Sequence, residues 1–165
     1  MPKSDLDAID CRIVAALQAD GRLSNVELAE RVGLSASPCL RRVKRLEREG
    51  YIEAYRATLQ RSRVGLGFTV FVDVKIEGHA NERAEAFQDA IVAMPEVVAC
   101  HIVSGLSDYL LEVVVPDLEH YQRFLLGKLL AMPIIREVRS DIAIQTLKAA
   151  AALPLEHLGT SQGRC

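Results

Sequence analysis

The chain has 165 residues, 50% of them apolar and 25% charged, enough for one or two small domains with ordinary cores. That balance excludes a disordered chain, and no apolar run nears the roughly 18 residues that cross a bilayer. The opening Met-Pro-Lys-Ser-Asp-Leu-Asp lacks the charged-then-apolar pattern of an export signal, so a cytoplasmic protein without membrane contact is expected. The formal net charge of −2 hides an asymmetry. Residues 1–63 carry 12 Lys+Arg against 9 Asp+Glu, and residues 64–165 carry 8 against 13. The excess is focused in Arg41, Arg42, Lys44, Arg45 and Arg48, with Glu47 the acid among them. Such a split points to a nucleic-acid-binding half joined to something else.

Three short helices are predicted in the first 50 residues. Leu6, Ile9, Ile13 and Ala16/Leu17 recur at helical spacing, with Ser4 as N-cap and Asp5 and Asp7 in the first turn. Asp20-Gly21-Arg22 stops that helix. Ser24-Asn25-Val26-Glu27 is a capping box, Leu28, Ala29 and Val32 form a buried stripe, and Gly33 ends the second helix. The third follows at once. Ser35 or Ser37 caps it, Pro38 lies in its first turn, and Gly50 closes it. Cys39, Leu40, Val43 and Leu46 are expected inside, with Arg41, Arg45 and Arg48 sharing the outer face at i, i+4 and i+7. Ile52–Leu59 reads as a strand, the wing or hinge of a winged helix-turn-helix.

The period changes after Gly65. Phe68–Ile76 alternates like a strand, Glu82–Met94 is an amphipathic helix, and Val97–Val103 and Asp108–Val115 are strands joined by Ser104-Gly105-Leu106-Ser107. Leu118–Met132 is a second helix and Ile134–Leu147 a last strand. The order βαββαβ is the ferredoxin-like arrangement, so the fold class is α+β. The predicted divisions are 1–51 for the helix-turn-helix, 52–64 for the wing or hinge, 65–148 for the βαββαβ domain, and 149–165 for a C-terminal tail, loosely ordered from Leu153 and disordered from Gly159.

Two segments carry chemistry. A helix that enters the major groove brings its N-terminal turn to base edges and needs cations beside it for phosphates. Ser35, Ser37 and Pro38 stand at that turn. Arg41, Arg42 and Arg45 lie within reach of bases or phosphates, and Lys44 and Arg48 of phosphates. The alternative is a solvated basic helix on a protein-interaction module. The second segment is Ser104-Gly105-Leu106-Ser107-Asp108-Tyr109, where a glycine-bearing turn exposes N–H groups that suit a carboxylate and Asp108 suits an ammonium. An α-amino acid carries both groups, although such a loop is more often only a hairpin turn.

Catalysis and metals find no support in the residues. His79, His101, His120 and His157 are scattered, no serine or cysteine sits in a nucleophile motif, and no phosphate loop is present. His101 is expected to be a packed or hydrogen-bonded strand residue. Cys11, Cys39, Cys100 and Cys165 lack metal-ligand spacing and read as reduced thiols, a redox role for Cys39 or Cys100 being the alternative. An enzyme subunit carrying a regulatory βαββαβ domain remains the rival of another class, without a catalytic constellation to support it.

The run from Asn25 to Gly50, Asn-Val-Glu-Leu-Ala-Glu-Arg-Val-Gly-Leu-Ser-Ala-Ser-Pro-Cys-Leu-Arg-Arg-Val-Lys-Arg-Leu-Glu-Arg-Glu-Gly, resembles the helix-turn-helix of the leucine-responsive and asparagine-responsive (Lrp/AsnC) regulators. Cys100–Leu111 and Val115-Pro-Asp-Leu118 resemble that family's amino-acid-sensing domain. The resemblance implies a regulator of amino-acid metabolism that binds double-stranded DNA. It implies homodimers formed through the βαββαβ sheets and assembling to octamers, with no cofactor beyond a small amino acid effector such as leucine or methionine. It places the effector around Gly105, Asp108 and Tyr109, with Ser104, Leu106, Ser107 and Ser140 flanking. Leu106 and Ser107 depart from the bulkier or charged residues expected there.

Overall fold

Asp7 starts the first helix. In the computed structural model, which describes residues 6–77, 82–149 and 151–159, α1 spans Ala8–Ala19. The extended Asp7 accepts from the amides of Ile9 and Asp10 at 2.9 and 2.8 Å, while the Asp10 side chain accepts from the Asp7 amide at 3.2 Å. Two of the helix's unpaired amides are met by a carboxylate two and three residues before them, so the cap is Asp7. Ser4, the expected cap, lies outside the described residues.

The chain divides into two units, Met1–Thr58 with Lys148–Cys165, and Leu59–Leu147. In the first, α2 (Asn25–Val32) opens on the predicted Ser24–Glu27 box and closes at left-handed Gly33 (φ 73°). The third helix, α3, runs Ala36–Arg48 from Ser35, whose side chain makes no capping bond. Ile13, Leu28, Ala29, Val32, Cys39 and Leu46 form the core of this unit. Cys39, Val43 and Leu46 are one buried stripe of α3, and Leu40, a hundred degrees away on the helix, is 42% exposed rather than inside.

The strand expected over 52–59 does not form. Those residues are extended and mostly exposed, because no described strand lies alongside to accept their hydrogen bonds. Tyr55 instead donates its hydroxyl to Glu47 at 3.0 Å, and burial together with that carboxylate pushes the phenol up to about 12, so it stays a donor at neutral pH. The tail is anchored rather than loose. The Gln18 carboxamide meets both the carbonyl and the amide of Leu153 at 2.9 Å, and Leu158, in the four-residue helix α6 (Glu156–Gly159), packs on the first unit's core. Residues 160–165 lie outside the described chain.

The second unit is βαββαβ: β1 Phe68–Ile76, α4 Glu82–Val92, β2 Val97–Ile102, β3 Tyr109–Val115, α5 Leu118–Phe124 and β4 Ile135–Ile142. A π-turn, Leu125–Leu129, extends α5 toward the predicted end. The strands are antiparallel in the order β2-β3-β1-β4, the ferredoxin-like arrangement. Val70, Val72 and Val74 alternate into a core with Leu111, Val113, Ile91 and Phe124. Each buried valine contributes about 1.5–3 kcal/mol. The intervening positions of β1, Phe71, Asp73 and Lys75, fall on the opposite face. β4 stops five residues short of the predicted Leu147. Val70 pairs with Ile142 and the Ala143 amide makes a last bond to Thr69, one residue from the start of β1 at Phe68. No helix among the described residues is long and apolar enough to cross a membrane.

Candidate nucleic-acid interface and ligand cleft

The start of α3 presents a small polar turn. Ser35 and Ser37 are exposed, and Pro38 is half-buried where its missing N–H costs nothing. Further along, Arg41, Lys44 and Arg48 are exposed, the Arg48 side chain to 73%. Arg42 and Arg45 turn the other way. Arg42 stands three residues after Cys39 and four before Leu46, so it borders the buried stripe. Its Nη1 donates to Asp7 at 2.6 Å and Asp10 at 2.8 Å, and Arg45 Nη2 donates to the other oxygen of Asp10. The outer cationic face is therefore Arg41, Lys44 and Arg48, instead of the expected Arg41, Arg45 and Arg48.

Asp10 is the residue that sequence reasoning missed. It is fully buried on the apolar stripe of α1, four residues after Leu6 and three before Ile13. A lone acid on a core-facing stripe was the available signal, since a buried carboxylate requires partners. Beside it, burial alone would raise the Asp7 carboxyl, but bonds from the Asp10 amide, from Arg42 and from the Ile9 amide hold it below the usual aspartate range.

In the second unit the predicted loop splits into two roles. Asp108 accepts from the Ile76 amide at 2.9 Å, its own amide donates to Val74 at 3.0 Å, and it thereby fastens the loop to the end of β1. Tyr109 is buried, its ring 4.9 Å from that of Phe87 and its hydroxyl accepting from Gln88 at 2.9 Å. Ser140 shares a 2.5 Å bond with the Tyr121 hydroxyl, on the helix-covered face. Ser104 and Gly105 are exposed in the loop, and Gly105 takes a φ of 156° that side chains rarely adopt. Leu106, 85% exposed, and Ser107 reach the other face of the sheet.

There a cleft of about 340 Å³ is lined by Asp73, Lys75, Leu106, Ser107, Glu137 and Arg139. Asp73 and Arg139 are directly paired in the β1–β4 register, as are Lys75 and Glu137. The first pair meets at 2.7 Å and the second at 3.2 Å, and the Ser107 hydroxyl donates to Asp73 at 2.7 Å. The four charged residues escaped the loop-centred reading. Their signal was alternation, with charges at every second position of two neighbouring strands.

The Ser107 hydrogen bond, stronger than the opposing effect of burial, and with it the bond and the charge of Arg139, hold the Asp73 carboxyl below the ordinary aspartate range. A depressed carboxyl keeps its ion pair above the unfolded value and loses it as pH falls through the folded one. The loop tether should therefore survive mild acidification and fail only below the usual aspartate range. A carbon-13 titration of Asp73 checks this: a midpoint at or above that of an exposed aspartate contradicts it, and R139A should move the midpoint upward.

Among the described residues no group of His, Cys, Asp and Glu is placed to hold a metal. Cys11, Cys39 and Cys100 are free thiols whose burial raises them above the usual thiol value, which disfavours the reactive thiolate. Cys165 is outside the described chain. His101 is exposed on β2 rather than packed.

Residues 69–153 match the family model of the Lrp/AsnC ligand binding domain, and residues 6–53 match that of a winged helix-turn-helix DNA-binding domain. The leucine-responsive regulatory proteins of Klebsiella pneumoniae and Escherichia coli K12 are each 41% identical to the chain over 155 residues, covering 94% of it and 94% of the relative. A transcriptional regulator of Neisseria meningitidis, solved as a complex with L-Met, superposes with a TM-score of 0.88 at 40% identity, covering 93% of this chain and 99% of that one. An AsnC family regulator of Agrobacterium tumefaciens gives 0.87 at 38% identity, covering 92% and 99%.

Proposed function

The chain belongs to the Lrp/AsnC family of DNA-binding transcriptional regulators, and we propose that it reads duplex DNA with α3 and answers to an amino acid held in the β1–β4 cleft. The observation that carries the DNA assignment is the two-sidedness of α3, packed by Cys39, Val43 and Leu46 and open along Ser35, Ser37, Arg41, Lys44 and Arg48. The serines are short donors and acceptors for base edges, and the three cations serve phosphates. Such work places the protein in the cytoplasm with its DNA.

The cleft suits a zwitterion. Asp73 and Glu137 face an ammonium, Lys75 and Arg139 a carboxylate, and Leu106 an apolar side chain such as that of methionine or leucine. The L-Met complex of the Neisseria relative supports this ligand class. Ser104 and Gly105 shape the loop above the cleft, while Asp108, Tyr109 and Ser140 hold its supports.

The protein works as a homodimer that assembles further, toward an octamer. Exposed apolar residues of the second unit, Phe71, Ile102, Ile144 and Leu147 among them, supply surface for self-association. A two-fold axis sets paired recognition helices about 34–36 Å apart, one turn of DNA. The amino acid shifts assembly or DNA binding by its differential affinity, a coupling of about 1–3 kcal/mol.

A gel-shift titration on the DNA upstream of its own gene, with and without a panel of amino acids, tests both halves. A shift that one or two amino acids alter is the expected result. No shift at low salt on this or neighbouring upstream regions overturns the DNA reading, and a shift indifferent to every amino acid overturns the cleft.

A further inference from the structure

We propose that Asp10 is a positioning residue for DNA recognition, a buried clamp that withholds Arg42 and Arg45 from DNA and fixes the aim of α3. The inference rests on the reading that α3 enters the groove. Both Asp10 oxygens are engaged: Oδ1 accepts from Arg42 at 2.8 Å, and Oδ2 from Arg45 and from the Asp7 amide. Asp7 adds a second carboxylate to Arg42 at 2.6 Å. Two guanidinium groups thus face two carboxylates, and this patch brings no net charge to a phosphate.

The clamp holds α3 at two points. Arg42 and Arg45 leave the helix one turn apart and converge on one carboxylate of α1, so rolling α3 about its axis or sliding it along α1 breaks a bond. Ser35, Ser37 and Arg41 keep their orientation as a consequence. Arg45 is further sealed, since its Nε is buried without a hydrogen-bond partner and the Glu49 carboxylate stands 3.8 Å away. For either arginine to reach DNA it must give up its bond to Asp10, and the departure of both would leave an ion-unpaired carboxylate inside the core, where it is poorly tolerated. A well-packed apolar cluster would hold two helices together as well as this ion cluster does. What the carboxylate adds is the neutralising charge and the fixed geometry.

The test uses the full-length chain and two labelled duplexes, one of mixed sequence and one from upstream of its own gene, titrated by fluorescence anisotropy from about 50 to 200 mM salt. R45Q is expected to bind more weakly at every salt concentration, because the aim of α3 is loosened, with the slope of log K against log salt unchanged. D10N keeps the size of the side chain and removes its charge. It should steepen the slope by ~0.9 for each phosphate that a released arginine recruits, and narrow the affinity ratio between the two duplexes. A purely structural role would lower the melting temperature and leave the slope alone. A folded D10N with the wild-type slope and ratio overturns the clamp, as does an R45Q slope shallower by ~0.9. If D10N does not fold, R45Q decides. Wild-type protein without salt-dependent binding would remove the DNA reading and the clamp with it.

Discussion

Replacing Arg41, Lys44 and Arg48 together by glutamine is expected to reduce the salt dependence of DNA binding by about 2.7 in the slope of log K against log salt. Each cation that neutralises a phosphate releases condensed counterions and contributes ~0.9 to that slope. At about 0.1 M salt the affinity should fall on the order of a hundredfold, for duplexes of any sequence, because phosphate contacts position without specifying. The fold should not notice. All three side chains are exposed, Arg48 to 73%, and among the described residues their ion pairing is confined to a 3.8 Å approach of Arg48 to Glu49. Glutamine propagates a helix nearly as well as arginine or lysine, and surface changes of this kind stay within about 0.5 kcal/mol. Anisotropy titrations beside a thermal melt separate the two effects. An unchanged slope would mean that α3 does not face DNA.

That prediction excludes Arg42 and Arg45, although all five cations look alike as a basic run. Helical spacing places Arg45 beside Arg41 on the outer side, and a period of 3.6 cannot say which way a long flexible side chain bends. The direction is decided by Asp10, some 30 residues earlier, and a contact across that distance leaves no local pattern. Capping was easier to read. Ser24 and Glu27 satisfy each other within one turn, so the start of α2 was legible from four residues. The start of α1 was misplaced because Ser4 was read as the cap and Asp7, an equally good capping residue three positions on, as a first-turn acid.

Strand limits show the same division. Phe68–Ile76 came out of the sequence intact because β1 is central and its alternation is complete. The end of β4 was not legible, since it depends on where β1 begins rather than on Ile144 and Leu147, which are apolar yet exposed. Residues 52–59 have β-compatible composition but no described neighbour to pair with. The site followed suit. The loop from Ser104 to Asp108 stood out by its glycine, whereas Asp73, Lys75, Glu137 and Arg139 gather only once β1 and β4 are paired in register.

R139A is expected to weaken amino acid binding by about ten- to a hundredfold and to remove the effector response, while DNA binding without effector stays as it was. The Arg139 guanidinium is the cleft's planar fork for a carboxylate, and one charge-assisted hydrogen bond is worth about 1.5–3 kcal/mol. Its present partners, Asp73 at 2.7 Å and Asp141 at 3.3 Å, lie on the solvent side, and the side chain is 65% exposed. A ligand carboxylate can therefore share it without opening the core, and its loss should leave the melting temperature nearly unchanged. D108A makes the contrast. Removing the acceptor of the Ile76 amide loosens the loop, so weaker ligand binding should come with a lower melting temperature. Calorimetric titration of L-Met and L-Leu into wild type, R139A and D108A separates the two roles. If R139A binds either amino acid as tightly as the wild type does, the carboxylate is held elsewhere and the cleft between β1 and β4 is not the sensor. If only D108A loses the ligand, and does so without softening the fold, the loop carboxylate itself touches the amino acid, and Asp73 and Arg139 merely brace the strands behind it.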